Sequence, residues 1–413
     1  MRLATRIRNA DPLAGAEPEA LAPPALPAEG EDWHGRRRRM DAAPAAAMLR
    51  GPARRRRTVG AALAAAALVV AVLLVVLLPG SAPRHDTLAE TFTVSTTSGA
   101  PASAPLTDAS VAVLHRRLAS LDLRGWSADS PGAGRIQVSC GDCGAGATAA
   151  SVLAAAAPGQ LVFYDWEANV LDAQCRPRPD DAAVTGGTAA GQPGAGTLSH
   201  YAAVLRAARC PVGDGDRSSS VYYAVDRARH QVLSGPEPSR TSAAARADAT
   251  DAQVVRVLPG TAMVEAENGE DTPREADTQW YVVRDRAALT GADVIDPRAE
   301  DDQATGAPTV TLQLTAHGQR TLHATTRRIA RRGAAQLRPG IDGTSAAQHF
   351  AIVLDGRLLA VPYVDPRQNP DGIDARRGVE ISGGLTADHA RTVAALLKSG
   401  VLPARLSPSD RPG

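Results

Sequence analysis

The chain has 413 residues, enough for two or three compact units, but only 13 are aromatic (3 Phe, 6 Tyr and 4 Trp), while Ala, Arg, Gly and Pro abound. Its 45 Lys and Arg against 44 Asp and Glu leave a net charge of +1. So balanced a chain offers no electrostatic case for an acidic substrate, and nucleic acid is not expected as a partner.

Residues 1–57 are rich in Ala, Pro and Arg and hold a single aromatic, Trp33. Such a stretch cannot bury enough apolar surface to offset the entropy of ordering, and it reads as a disordered tail. Two four-arginine blocks, Arg36–Arg39 and Arg54–Arg57, lie within it. From Thr58 to Pro83 no residue is charged, and the apolar core Val59–Leu78 is 20 residues long. At about 1.5 Å per residue that length crosses a hydrocarbon layer of about 30 Å, so 58–80 reads as one transmembrane helix. The arginines before it place the N-terminus in the cytoplasm and everything after residue 80 outside. The competing reading, a signal peptide cleaved near Gly80–Ala82, would need a charged leader and an apolar core much longer than the usual core of about 7–15 residues. The span contains no Gly-x-x-x-Gly, since Gly60 stands alone until Gly80, and nothing in it argues for or against self-association. All four cysteines, Cys140, Cys143, Cys175 and Cys210, fall on the outer side, where disulfides persist.

Residues 81–105 read as a Pro/Ser linker and a first strand, Thr91–Thr97. A helix capped by Thr107 or Asp108 follows, with Val111, Leu114, Leu118 and Leu121 on one face and Arg116 and Arg117 on the wet side. Arg135–Ser139 alternates as a strand, residues 146–157 form an Ala-rich helix, and Gln160–Trp166 is another strand. After Trp166 comes a Gly- and Pro-rich insertion, Asp172–Gly196, then a short helix at 200–208. The runs Val221–Asp226, His230–Gly235, Gln253–Leu258, Thr261–Glu267 and Gln279–Val283 give a mostly β unit over 168–285. Pro308–Leu314 is a strand, and His317–Gly333 a helix with Leu322, Thr325 and Ile329 on one face. His349–Val364 makes two apolar strands joined at Asp355–Gly356, a dipeptide that tight hairpins favour because both positions need positive φ. A strand at Gly378–Gly384, a helix capped by Thr386 and a stop at Gly400 complete the pattern. No internal repeat is present.

Several of these segments together resemble the SecD family. "DARRGVEISGGLTADHARTVAALLKSGVLPARL", Asp374–Leu406, is similar to the family's strand, glycine turn, helix and "SG-x-LP" tail. "AIVLDGRLLAVPYV", Ala351–Val364, resembles its LDG hairpin. Ala288–Ala299 resembles the family's LTG-A-D segment, and Pro308–Thr326 resembles the strand and helix after it. The opening helix with its Arg117-Leu118 pair and two strands is similar as well, so the resemblance covers about 87–406. It implies an α+β fold: a ferredoxin-like base, with its first part at 106–167 and second at 286–406, an inserted mostly β head at 168–285, and a tail at 407–413. It also implies structural roles for Asp355, Gly356, Pro362, Gly383, Gly384, Gly400, Leu402 and Pro403, and contact with translocating polypeptide. Three features depart from the family. "CGDC" at Cys140–Cys143 replaces a Leu-Pro-Gly turn, a polar stretch at Asp365–Arg377 lengthens a loop, and no later membrane helices follow, so energy transduction by this chain alone is not expected.

Cys140-Gly-Asp-Cys143 has the spacing of a redox dithiol, and a following helix N-terminus would lower the first thiol's pKa. The surrounding pattern is not thioredoxin-like, and a structural disulfide within the loop is the reading preferred. Cys175 and Cys210 would then pair across the Gly-rich insertion. A four-thiolate zinc site usually has two close cysteine pairs, and only one exists here. Asp365, Asn369, Asp371 and Asp374 invite a calcium loop, but the twelfth position is Arg376, and a solvated turn is expected instead. The nine histidines form no ligand-spaced cluster, and His115, His323 and His389 read as surface positions. No nucleophile elbow, phosphate loop or HExxH motif occurs, so no catalytic residue, metal or cofactor is expected.

The expectation is therefore a single-pass plasma-membrane protein, not an enzyme. Its outer domain would bind translocating or unfolded polypeptide, in company with translocon subunits, through sheet edges or an apolar groove between base and head. The alternatives are a receptor or scaffold serving the Arg-rich tail, and an envelope thiol-disulfide oxidoreductase using Cys140 and Cys143.

Overall fold

The computed structural model describes residues 88–409 except 124, 142–147, 178–197, 211–219, 248, 250, 268–277, 341–345 and 383–384. The tail 1–57 and the apolar run 58–80 lie outside the described residues, as do Cys143, Gly383 and Gly384. Among the described residues no helix is long and apolar enough to cross a membrane.

In chain order the elements are β1 (Leu88–Ser95), α1 (Ala104–Ser120), β2 (Trp126–Gly132), β3 (Arg135–Cys140), α2 (Ala149–Ala155), β4 (Leu161–Asp165) and α3 (Trp166–Asn169). Then come α4 (His200–Arg209), β5 (Val221–Asp226), β6 (Gln231–Glu237), α5 (Arg240–Ala247), β7 (Gln253–Val257), β8 (Thr261–Glu267), β9 (Thr278–Arg284) and β10 (Leu289–Thr290). The last are β11 (Val294–Asp301), β12 (Pro308–Leu314), α6 (Ala316–Gln336), β13 (Gln348–Leu354), β14 (Arg357–Ala360), β15 (Tyr363–Val364), β16 (Val379–Ile381), α7 (Ala387–Ser399) and β17 (Arg405–Pro408). The fold is mixed α+β with several sheets.

The first sheet has the order β17-β1-β3-β2, with every neighbouring pair antiparallel. With α1 and α2 it reads βαββαβ along the chain, the strands lying 4-1-3-2 across the sheet. Period-two alternation sends Phe92, Val94, Ala128, Ile136 and Val138 onto Leu114, Leu118 and Val152 of the helices. Thr93, Arg135 and Gln137 face outward. The β2 segment, "WSADSPG", was not anticipated as a strand. It has few apolar residues and holds Pro131, which an edge strand tolerates, and among the described strands it pairs only with β3.

α1 begins a turn earlier than expected, at Ala104 after the N-cap Ser103, with Pro105 in its first turn. Arg116 is exposed, as its helical position requires, but Arg117 is fully buried rather than on the wet side. Three residues after Leu114 and seven after Ser110, both buried, Arg117 stands on the core stripe itself.

The second sheet runs β10-β4-β13-β14-β8-β9, with β15 beside β13. One face, carrying Phe163, Phe350, Ile352 and Leu354, packs with Leu312 and Ile381 of the β11-β12-β16 sheet and with Leu322, Ile329 and Val393 of α6 and α7. The opposite face carries Tyr164, Ala351 and Val353 and, on its β8 and β9 strands, Val264, Tyr281 and Val283, which cluster with Trp166 and Val170. α4 buries Ala203, Val204 and Ala207 against Tyr223, Val225 and Val257 of the β6-β5-β7 sheet and Val282 of β9.

β5, β8 and β12 coincide with the strands read from the sequence, and α6 buries Leu322, Thr325 and Ile329 as its periodicity predicts. Helix α5, not anticipated, is a run of small residues with Ala243 buried. The sheets do not follow the expected split at 168 and 285. Of the stretch 286–406, only the last strand enters the β17-β1-β3-β2 sheet, while β10 to β16 build the other layers. The reason is visible in pairing: β1 needs a neighbour on its second edge, and Arg405–Pro408 supplies it in antiparallel register.

Candidate functional site: the crossing of two connections

The chain leaves the four-stranded sheet after α2 and returns to it before β17. The outgoing segment, Ala155–Gln160, and the returning one, Ser399–Leu402, lie side by side, with Leu402 N–H donating to the Pro158 carbonyl at 2.9 Å. Local chemistry sets both turns. Pro158 cannot continue α2, Gly159 has φ +77°, and Gly400, at φ +81°, ends α7. Two helix C-termini, each with carbonyls lacking intrahelical partners, thus converge.

Arg117 fills the space between them. Its Nε donates to Ser399 Oγ at 3.0 Å, Nη1 to the carbonyls of Ala155 at 2.7 Å and Ala157, and Nη2 to those of Pro158 at 3.0 Å and Gly400 at 2.8 Å. All five N–H groups of the guanidinium are used, on both connections at once. Burial lowers its pKa to about 10, with Asp355 acting against the shift and Arg116 adding to it, so the group stays charged at neutral pH. A cation at two helix C-termini also complements their dipoles.

Asp355, at the tip of the β13–β14 hairpin, completes the joint. Its Oδ2 accepts from Gly159 N–H at 2.9 Å and its Oδ1 from Gln160 N–H at 2.7 Å, while its own N–H donates to the Gln160 carbonyl at 3.0 Å. Burial raises its pKa despite those two donors and the nearby Arg117. The hairpin turn itself has φ +53° at Asp355 and +82° at Gly356, as the Asp-Gly reading requires. Gly159 has no alternative here, since a Cβ would stand 2.5 Å from Arg117 Nη2. The arrangement contains no activated nucleophile. It pins α1, both connections and the hairpin tip together, so that sliding one connection past the other would strand buried carbonyls.

Two further buried clusters stiffen the seven-stranded sheet. Arg332 of α6 donates to both oxygens of Asp165 and, at 2.7 Å, to Gln348 Oε1. Glu167, fully buried, accepts from the His349 N–H at 3.0 Å and lies 2.8 Å from His349 Nδ1.

Of the residues singled out from sequence, Asp355, Gly400 and Leu402 meet at the crossing, with Gly356 in the hairpin turn beside it. Pro362 lies between β14 and β15, its carbonyl accepting from Phe350 N–H at 3.1 Å, and Pro403 is exposed between buried Leu402 and Ala404. Cys175 and Cys210 are disulfide-bonded, with Cα atoms 5.2 Å apart. Cys140 is disulfide-bonded and 1% exposed within the core under α1 and α2, whereas the dithiol alternative needs an accessible Cys140. The carboxylates of the Asp365–Asp374 stretch point to separate partners. Asp365 accepts from Arg367 N–H at 2.7 Å, Asp371 lies 3.9 Å from Arg327, and Asp374 pairs with Arg376 at 2.6 Å, which holds its pKa down at about 2. His115, His323 and His389 are exposed. The residue that sequence reasoning missed is Arg117. Its signal was an arginine in register with Ser110 and Leu114.

Residues 265–404 match the family model described as SecDF, P1 head subdomain. Over this stretch the chain is SecD-like. The SecD-like stretch includes the hairpin tip and the whole returning connection of the crossing, but not Arg117. It overlaps the segment assigned from sequence to the head only from 265 to 285. Among solved structures the chain is similar to SecDF in a super-membrane-facing form, at 18% identity over 84% of this chain and 34% of that one, with a TM-score of 0.39. It is also similar to a structure of the membrane component SecDF, described as enhancing protein export, at 17% identity over 79% of this chain and 100% of that one, with a TM-score of 0.37. The chain thus spans about a third of the length of the first of these. No curated protein matches it.

Proposed function

We propose that the chain is a SecD-like extracytoplasmic module that binds translocating or unfolded polypeptide, accessory to protein export and held at the plasma membrane by a helix at 58–80. The observation that carries this reading is the match of residues 265–404 to the SecDF P1 head subdomain. The topology supports it. A four-stranded 4-1-3-2 sheet, the ferredoxin-like base, is interrupted between its second helix and fourth strand, and the interruption is where a head would be inserted. The boundaries we propose differ from those read along the sequence: base at 88–157 and 401–409, head at 158–400. Arg117 and Asp355 then form the neck between the two. Binding through sheet edges suits clients of varied sequence, because backbone hydrogen bonds give affinity without fixed side-chain partners. Strands β2 and β7 each pair on one side only among the described strands.

The test is photocrosslinking in cells from exposed positions on β2, such as Asp129, and on β7, such as Arg256, with mass spectrometry of the trapped species. Many different secreted chains, or translocon subunits, are expected. A single defined partner, with export unchanged on deletion, refutes the reading and favours a receptor or scaffold.

A further inference from the structure

Helix α6 carries an unusual concentration of one charge for a chain whose net charge is +1. From Ala316 to Arg338 there are six arginines and no acidic residue. Arg332 turns inward to Asp165, but Arg320, Arg327, Arg328 and Arg331 are exposed. At about 100° per residue Arg320, Arg327 and Arg331 fall within about 40° of one another, opposite the face that buries Leu322, Thr325 and Ile329. Ala324 and Ala335 are exposed beside this row, leaving it without bulk. Its near counter-charge is Asp371, 3.9 Å from Arg327 and itself exposed, while Arg328 donates to the neutral Thr325 Oγ1 at 3.3 Å. From Arg320 to Arg331 the row spans about 17 Å at about 1.5 Å per residue, a short array of cations with no large apolar side chain beside it.

We propose that the arginine face of α6 docks on the anionic phospholipid headgroups of the membrane's outer surface. A straight row on a flat helix face fits a planar array of negative charge, and the lack of large apolar residues suits the headgroup level rather than the acyl region. With the proposed helix ending at residue 80, Leu88 at the start of β1 lies eight residues beyond it, a reach of at most about 29 Å from the membrane. Tethering at that range lets individually weak charge contacts act together. The docking presupposes the membrane helix proposed above.

The test uses the full chain labelled with a fluorescent donor at Ala324→Cys and reconstituted in bilayers bearing headgroup acceptors. One set is pure phosphatidylcholine, and the other contains about a third phosphatidylglycerol. Energy transfer should be higher with phosphatidylglycerol. It should fall at least about twofold in R320E/R327E/R331E, and likewise when salt rises from about 0.05 to about 0.5 M. Equal transfer in both bilayers overturns the docking. So does a label shielded by soluble polyglutamate and not by phosphatidylglycerol, which would assign the face to an acidic polypeptide. Carbonate extraction of the same samples separates the two readings: release of the chain sinks the membrane helix, while retention with equal transfer sinks only the docking.

Discussion

Replacing Arg117 by Leu tests the crossing of the two connections directly. The side chain donates to four backbone carbonyls and one hydroxyl in a fully buried site. Leucine strands the carbonyls, and at about 1.5 kcal/mol for each buried unpaired group the gross loss is about 6 kcal/mol. Part returns, because the wild-type cation is itself disfavoured. The drop in its pKa to about 10 corresponds to about 3 kcal/mol against the charged form. The net cost is about 3 kcal/mol. Lysine keeps the buried charge but has only three donors, so Arg117→Lys should cost about as much. The assay is thermal unfolding of the full chain in detergent, read by variants in which Trp126 or Trp166 is the sole fluorophore. Trp126 sits in the core of the four-stranded sheet and Trp166 in that of the β8–β9 hairpin. In the wild type the two should report one midpoint. In Arg117→Leu the Trp126 midpoint should fall further, because so small a module buries little surface of its own. Unchanged midpoints, within about 0.5 kcal/mol, would refute the reasoning and mean that the carbonyls find other partners.

Gly159→Ala should destabilise the same joint by at least about 1 kcal/mol, from positive φ and from a Cβ placed against the guanidinium, and calorimetry would show it. Because burial raises the pKa of Asp355, the folded chain binds a proton there before the unfolded chain does. Stability from this group therefore grows as pH falls through the raised value towards the ordinary one. The advantage of wild type over Asp355→Asn in melting temperature should widen on acidification from neutral, and a narrowing would mean that the two N–H donors outweigh burial. Loss of the Cys175–Cys210 bridge, which spans 35 residues, should cost about 4 kcal/mol on the chain-entropy account, measurable by chemical unfolding of Cys175→Ser/Cys210→Ser. That loss should appear in denaturation read from Trp280, which stacks on His200 of the neighbouring α4, before it appears at Trp126.

Legibility from sequence tracked the physics of each segment. Pro308–Leu314 and Thr261–Glu267 were readable because alternation and β-branching agree there with burial. The Asp355–Gly356 turn was readable because its chemistry is local. β2 was not, since its ladder with β3 depends on a neighbour and not on its own composition. Arg117 was misplaced because a charge is ordinarily solvated, and only the convergence of two distant helix ends makes its burial tolerable. Sheet membership is hidden from sequence for a related reason. Which strands share a sheet is a long-range property, and Arg405–Pro408 shows its allegiance only through Phe92–Ser95, more than three hundred residues earlier.

That last pairing also shapes the order in which the folded part assembles. Thr93 and Ser409 touch across a sequence separation of 316, so the free edge of β1 must wait for some three hundred further residues before this neighbour exists. A chain emerging from its N-terminus can assemble β1, β2 and β3 early, but until β17 arrives it presents an open strand to anything nearby. Termination anywhere before Arg405 would leave that edge without this neighbour, so closure of this sheet requires that synthesis has passed Pro408.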